Sequence, residues 1–134
     1  MNKNESTPKE SKAKILLVDD DNDFITINRT ILEQAGYEVF VAYNGEDAVQ
    51  KARDERPDLI VLDVMMTHQT EGFKVSRELR TLEETKSTPL IMVSSLLDSP
   101  EKFEQDDDWL PIDVFIRKPI TPERLLDEVS KRVK

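Results

Sequence analysis

Charged and hydroxyl side chains follow short apolar runs at four places in this chain. ILLV at 15–18 leads into Asp19, Asp20 and Asp21, LIVL at 59–62 into Asp63, LIMV at 90–93 into Ser94 and Ser95, and VFI at 114–116 into Arg117, Lys118 and Pro119. A carboxylate beside that much hydrocarbon costs free energy unless a cation, a proton or a chemical role accompanies it. Taken singly, each residue has a plain reading. An Asp after a strand is usually a helix cap, the expected part of Asp21 or Asn22; Ser94 alone is a turn residue and Lys118 alone a solvated charge. Taken together they suggest chemistry. Three converging carboxylates would repel one another, and a hard divalent ion such as Mg²⁺ removes that cost by taking oxygen ligands. A hydroxyl and an ammonium beside it can bind phosphoryl oxygens. The set suits phosphoryl transfer to a carboxylate, where positioning and charge stabilisation do nearly all the catalysis.

For these residues to meet, the elements carrying them must end at one edge. The runs 15–18, 39–42, 59–62, 90–93 and 114–116 predict five strands. Between them lie helical patterns. Phe24, Ile27, Ile31 and Ala35 mark an apolar face that Gly36 stops, and Asn44-Gly45 opens a helix carrying Ala48, Val49 and Ala52 that Pro57 closes. Phe73, Val75, Leu79 and Leu82 mark a third helix over about 72–82. Thr121-Pro122-Glu123 then starts a last one with Leu125, Leu126, Val129 and Val133 as its buried stripe. Continuously apolar strands alternating with helices imply an α/β fold, a doubly wound parallel sheet covered on both faces. Functional residues in such sheets collect beyond the carboxyl ends of the strands.

Composition narrows the classes. The 134 residues suit one domain, with 1–13 a polar, flexible tail and 14–134 the folded unit. The first 14 residues carry +2, and the remaining 15 basic and 26 acidic residues leave −11. That balance argues against nucleic acid or an anionic membrane as a direct partner. No cysteine is present, which excludes disulfides, thiolate catalysis and Cys-based zinc sites. There is no membrane-length apolar run and no secretory h-region, so a cytoplasmic location is the default expectation.

VDDD at 18–21, LDVMM at 62–66, VSS at 93–95 and FIRKP at 115–119 resemble, in order and spacing, the response-regulator receiver domain of two-component signalling. The resemblance covers roughly residues 13 to 134 and is closest to single-domain, chemotaxis-type regulators. It implies a flavodoxin-like sheet of strand order 2-1-3-4-5. It implies Asp63 as phosphoacceptor from a histidine kinase or phosphotransfer protein, with Mg²⁺ held by Asp20, Asp19, Asp63 and the backbone carbonyl of Met65. Ser94 would bond a phosphoryl oxygen, Lys118 would pair with phosphate or, before it arrives, with Asp63, and Phe115 would be the switch aromatic. The peptide before Pro119 would be cis. Phosphorylation would draw Ser94 inward, open space for Phe115 and reshape a protein-interaction surface read by a downstream target. Such a protein catalyses only its own phosphotransfer and dephosphorylation. Because the last helix uses up the sequence, a stand-alone receiver is expected, whether as a binding switch, a relay or a piece of a larger regulator.

Three departures bear on that expectation. The loop after the acceptor reads MTHQTEG, without the family's proline and about one residue longer, with Glu71-Gly72 in place of Asp-Gly. His68, the one histidine, reads as a solvated loop residue; a metal ligand or phosphoryl relay is the alternative. Met65 and Leu96, two residues beyond Asp63 and Ser94, offer no group to orient a hydrolytic water, so slow self-dephosphorylation is expected. Finally, LLDSPEKFEQDDDWLPIDV is a poor helix as a whole, which predicts a shortened or irregular helix after the fourth strand, with Trp109 packed on the domain or serving a partner. The alternative function is a pseudo-receiver, a constitutive interaction module that is never phosphorylated. An aspartyl-nucleophile phosphatase ranks last, because Met65 occupies the place of its second acid.

Overall fold

The computed structural model describes residues 12–63, 71–94 and 114–133. The expectations for the tail up to residue 11, for Met65, His68, Leu96 and Trp109, and for the helix after the fourth strand lie outside these residues. The described elements are β1 (Lys14–Val18), α1 (Asn22–Gln34), β2 (Glu38–Ala42), α2 (Gly45–Glu55), β3 (Leu59–Asp63), α3 (Glu71–Thr81), β4 (Leu90–Ser94), β5 (Val114–Arg117) and α4 (Pro122–Arg132). All five strands pair in parallel in the order β2-β1-β3-β4-β5.

The strands are apolar throughout because alternate residues serve different faces. Leu16, Val18, Ile60, Leu62, Leu90 and Met92 pack with Ala48 and Ala52 of α2 and Val75 and Leu79 of α3. Their neighbours Ile15, Leu17, Leu59, Val61, Ile91 and Val93 pack with Ile25 and Leu32 of α1 and Leu125 and Val129 of α4. A polar strand residue at any of these positions would be buried on one face or the other.

One helical face differs from its expected position. On α1 the buried residues are Ile25, Asn28 and Leu32, while Ile27 is 59% exposed and Phe24 and Ile31 only flank the core. The helix is apolar on more than one side, so periodicity alone finds an apolar face but not the one the sheet covers. Asn28 is tolerated there because its Nδ2 donates to the Phe24 carbonyl at 2.8 Å.

Helix ends follow local chemistry. Asp21, Asn44 and Thr121 cap α1, α2 and α4 by accepting from backbone N–H groups two or three residues on, and Pro122 stands in the first turn of α4. α1 is followed by Gly36 at φ 100°, the left-handed region in which glycine is unstrained. α2 instead ends on Arg56 at φ 50°, immediately before Pro57.

Glu128 on α4 is a buried acid in a charged cluster. Its carboxylate accepts from Arg132 at 2.7 Å and from Arg124 at 2.9 Å. Burial pushes its carboxyl up, but the two guanidinium bonds and nearby Lys131 outweigh this and hold it below the usual glutamate range. The lowered folded-state value means the ionised form is favoured in the fold. Its contribution is therefore complete above the unfolded glutamate pKa and is lost as pH falls through the folded one. Glu128→Gln should cost about 1 kcal/mol at neutral pH. It should also flatten the acid limb of the stability curve, as chemical denaturation across that range would reveal.

Candidate functional site

Register brings the strand ends together. Val18 pairs with Leu62, so Asp19 and Asp63, the next residues, stand side by side at the carboxyl edge. Asp63 is opposite Val93, and Ser94 is opposite Arg117, one residue before Lys118. β3, β4 and β5 each run one residue beyond the expected apolar run, which places Asp63, Ser94 and Arg117 within strands.

Asp19 is fully buried, its backbone N–H donating to the Ala42 carbonyl at 3.1 Å. Its Oδ1 accepts from the Asp21 backbone N–H at 2.9 Å, and its Oδ2 from Lys118 Nζ at 2.8 Å. Asp63 is 4% exposed, and its Oδ1 lies 3.8 Å from the same ammonium. Asp20 is exposed at the mouth. One carboxylate oxygen from each of Asp19, Asp20 and Asp63 lies within 4.8 Å of the others. The Lys118–Pro119 peptide is cis, as the resemblance implies. The Lys118 ammonium also stands over the ring of Phe24, 4.3 Å from its centroid.

Thus Asp19, Asp20, Asp63 and Lys118 come together. Ser94 and Phe115 lie at their expected strand positions, opposite Arg117 and Met92, with side chains outside the described set; Met65 is outside it altogether. Lys118 pairs with Asp63 at 3.8 Å, as the resemblance implies, and its shorter contact, a hydrogen bond at 2.8 Å, goes to Asp19. The contact with Phe24 has no signal in the sequence, since 94 positions separate the pair and no local pattern links them.

The donor set fits a divalent cation. Three carboxylates and one ammonium sum to −2, the ligands are hard oxygens, and one of the acids opens to solvent. Asp21 has a different task, since its carboxylate is committed to the Asp23 and Phe24 N–H groups. Asp21→Ala should therefore cost about 1 kcal/mol of stability. Calorimetric titration should show Mg²⁺ affinity nearly unchanged, in contrast to Asp20→Ala, which should weaken it clearly.

A doubly wound sheet in this strand order, with acids and a lysine at its carboxyl edge, defines the flavodoxin-like class whose sites lie at that edge. Within that class, the chain matches the response regulator receiver domain over residues 15–130 and belongs to that family. It is 37% identical over 125 residues to the alkaline phosphatase synthesis transcriptional regulatory protein PhoP of Bacillus subtilis (strain 168), covering 90% of this chain and 47% of that protein. The chain thus spans about half the length of such curated relatives. The chemotaxis response regulator CheY4 of Vibrio cholerae superposes with a TM-score of 0.81 at 34% identity, covering 92% of this chain and all of the other. The receiver domain of the sensor histidine kinase PA1611 from Pseudomonas aeruginosa PAO1 shares the fold, with a TM-score of 0.79 at 24% identity over 91% of this chain and 98% of that one. That domain has a magnesium ion coordinated in its active site cleft. Receiver domains act in two-component signalling with histidine kinases or phosphotransfer proteins. No helix among the described residues is long and apolar enough to cross a membrane.

Proposed function

We propose that this chain is a phosphoacceptor receiver in which Asp63 takes a phosphoryl group from a phosphohistidine of a kinase or phosphotransfer protein, in a Mg²⁺-dependent step. The observation that carries the reading is the meeting of the Asp19, Asp20 and Asp63 carboxylates within 4.8 Å beside the Lys118 ammonium. An Asp63 oxygen attacks phosphorus; the P–O bond forms as the P–N bond breaks, and the departing imidazole keeps the electron pair and takes its proton from solvent. Asp19, Asp20, Asp63 and the Met65 carbonyl would hold Mg²⁺, which when bound neutralises phosphoryl oxygens. Lys118 is near enough to Asp63 to move onto a phosphoryl oxygen, and Ser94, one residue past the strand partner of Asp63, would donate to another. Phe115, on the neighbouring strand, would respond to that movement of Ser94 and alter a surface read by a downstream protein. The chain then catalyses its own phosphorylation and hydrolysis and nothing further, and acts in the cytoplasm.

The test is incubation with Mg²⁺ and a small phosphodonor such as acetyl phosphate, followed by intact mass measurement. The expected result is one phosphoryl adduct that requires the metal. No adduct on the wild type would favour the pseudo-receiver, a reading supported by the altered MTHQTEG loop. Met65→Asn supplies a side chain able to orient water and should shorten the adduct's lifetime several-fold (about 1 kcal/mol of barrier). An unchanged decay would count against a role for that position.

A further inference from the structure

We propose that Phe24 is a positioning residue for Lys118: its ring and Asp19 together hold the ammonium in a resting place that it must leave to reach a phosphoryl group on Asp63. The departure rests on the function proposed above; the resting place does not. Lys118 Nζ is 2.8 Å from Asp19 Oδ2 and 4.3 Å from the centre of the Phe24 ring, but 3.8 Å from Asp63 Oδ1. A ring face attracts a cation through its quadrupole, more strongly where water is excluded, and the Lys118 side chain is only 19% exposed.

The ring packs on the core and is carried on a fixed turn of helix. The Phe24 N–H donates to the capping carboxylate of Asp21 at 3.4 Å, and the Phe24 carbonyl accepts from the buried Asn28 at 2.8 Å. Its side chain packs against the core layer beneath α1 and α4. A fixed ring cannot follow the ammonium toward Asp63, so its attraction stabilises only the resting arrangement. An interaction present in the resting state and lost in the transition state slows the step.

Pentafluorophenylalanine at position 24 keeps the ring's shape and inverts its quadrupole, which separates attraction from mere space-filling. Phe24 also lines an open groove with Ile27, Ile31 and Ile120, which leaves room for fluorine. We expect phosphorylation by acetyl phosphate to speed up about two- to five-fold, with Phe24→Tyr remaining at the wild-type rate. Should the fluorinated protein fold poorly, Phe24→Leu, which removes the ring's attraction together with its shape, should show the same acceleration, and Phe24→Tyr controls for the ring itself. Independently, ring current should shift the Lys118 ε-methylene protons upfield in the resting wild type. Mg²⁺ with beryllofluoride, a phosphoryl stand-in, should return them toward ordinary values.

Absence of the resting shift overturns the proposal, as do retention of the shift with beryllofluoride bound and equal rates for the fluorinated and native rings. Failure of the functional reading is distinct: the wild type would then take up neither phosphoryl group nor beryllofluoride. The resting shift alone would decide whether the ring holds Lys118.

Discussion

Asp63→Asn should abolish the phosphoryl adduct and, without metal, make the protein more stable. An asparagine amide is too poor a nucleophile to replace the carboxylate, so intact mass should show no adduct under conditions that label the wild type. The stability gain follows from the geometry. Asp63 faces two other carboxylates with oxygens within 4.8 Å and one ammonium at 3.8 Å. At an effective dielectric of about 20, each repulsion is worth roughly 3.5 kcal/mol and the attraction roughly 4.4. Among these four charges the two repulsions win, and the near-complete burial of Asp63 adds desolvation of its charge in the same direction. A net gain of about 1–2 kcal/mol is expected after relaxation. Saturating Mg²⁺ should narrow or reverse this difference, because the wild type has three acids to offer the ion and the variant two. Urea unfolding with and without Mg²⁺ would check both signs. An adduct on the variant, or a wild type more stable than the variant in metal-free buffer, would remove Asp63 from the assigned role.

Lys118→Met should act with the opposite sign. It removes the ammonium bonded at 2.8 Å to Asp19, a carboxylate with no solvent exposure, and leaves three acids converging. Breaking one side of a buried pair costs several kcal/mol; because Lys118 is partly exposed, about 3 kcal/mol is expected in metal-free buffer. The phosphorylation rate should fall about 100-fold, the usual loss when one donor to developing charge is removed. Mg²⁺ should restore more stability to this variant than to the wild type, since the ion would be the main source of positive charge at the cluster. Combining Lys118→Met with Asp63→Asn should cost less than Lys118→Met alone, because the second change relieves repulsion that the first exposes. A metal-independent loss would mean that Lys118 matters through packing.

Much of this site can be located from the chain alone. An apolar run followed by an acid or a lysine is a local pattern, and a parallel sheet must bring successive strand ends to one edge, so Asp19, Asp63, Ser94 and Lys118 could be placed there before any coordinates. Asp21, Asn44 and Thr121 were equally accessible as caps, because a cap bonds within three residues of itself. The buried face of α1 was less so. Phe24, Ile27 and Ile31 have helical spacing as good as that of Ile25 and Leu32, and a helix apolar on two sides needs the sheet to choose between them.

The sequence by itself determined the element order, the parallel sheet and the chemical types at its edge, because hydrophobic period and capping act over a few residues. Only the tertiary structure decided how the charges are shared. Lys118 lies 99 positions from Asp19 and 55 from Asp63, and it hydrogen-bonds the first at 2.8 Å while pairing with the second only at 3.8 Å. That choice depends on differences of a few tenths of an ångström to a few ångströms among four strand ends and one ring, and Coulomb and cation–π energies change over that same range. Residue types announce an acidic phosphoryl site; the meeting of Phe24 on α1 with the segment after β5 decides where its lysine waits.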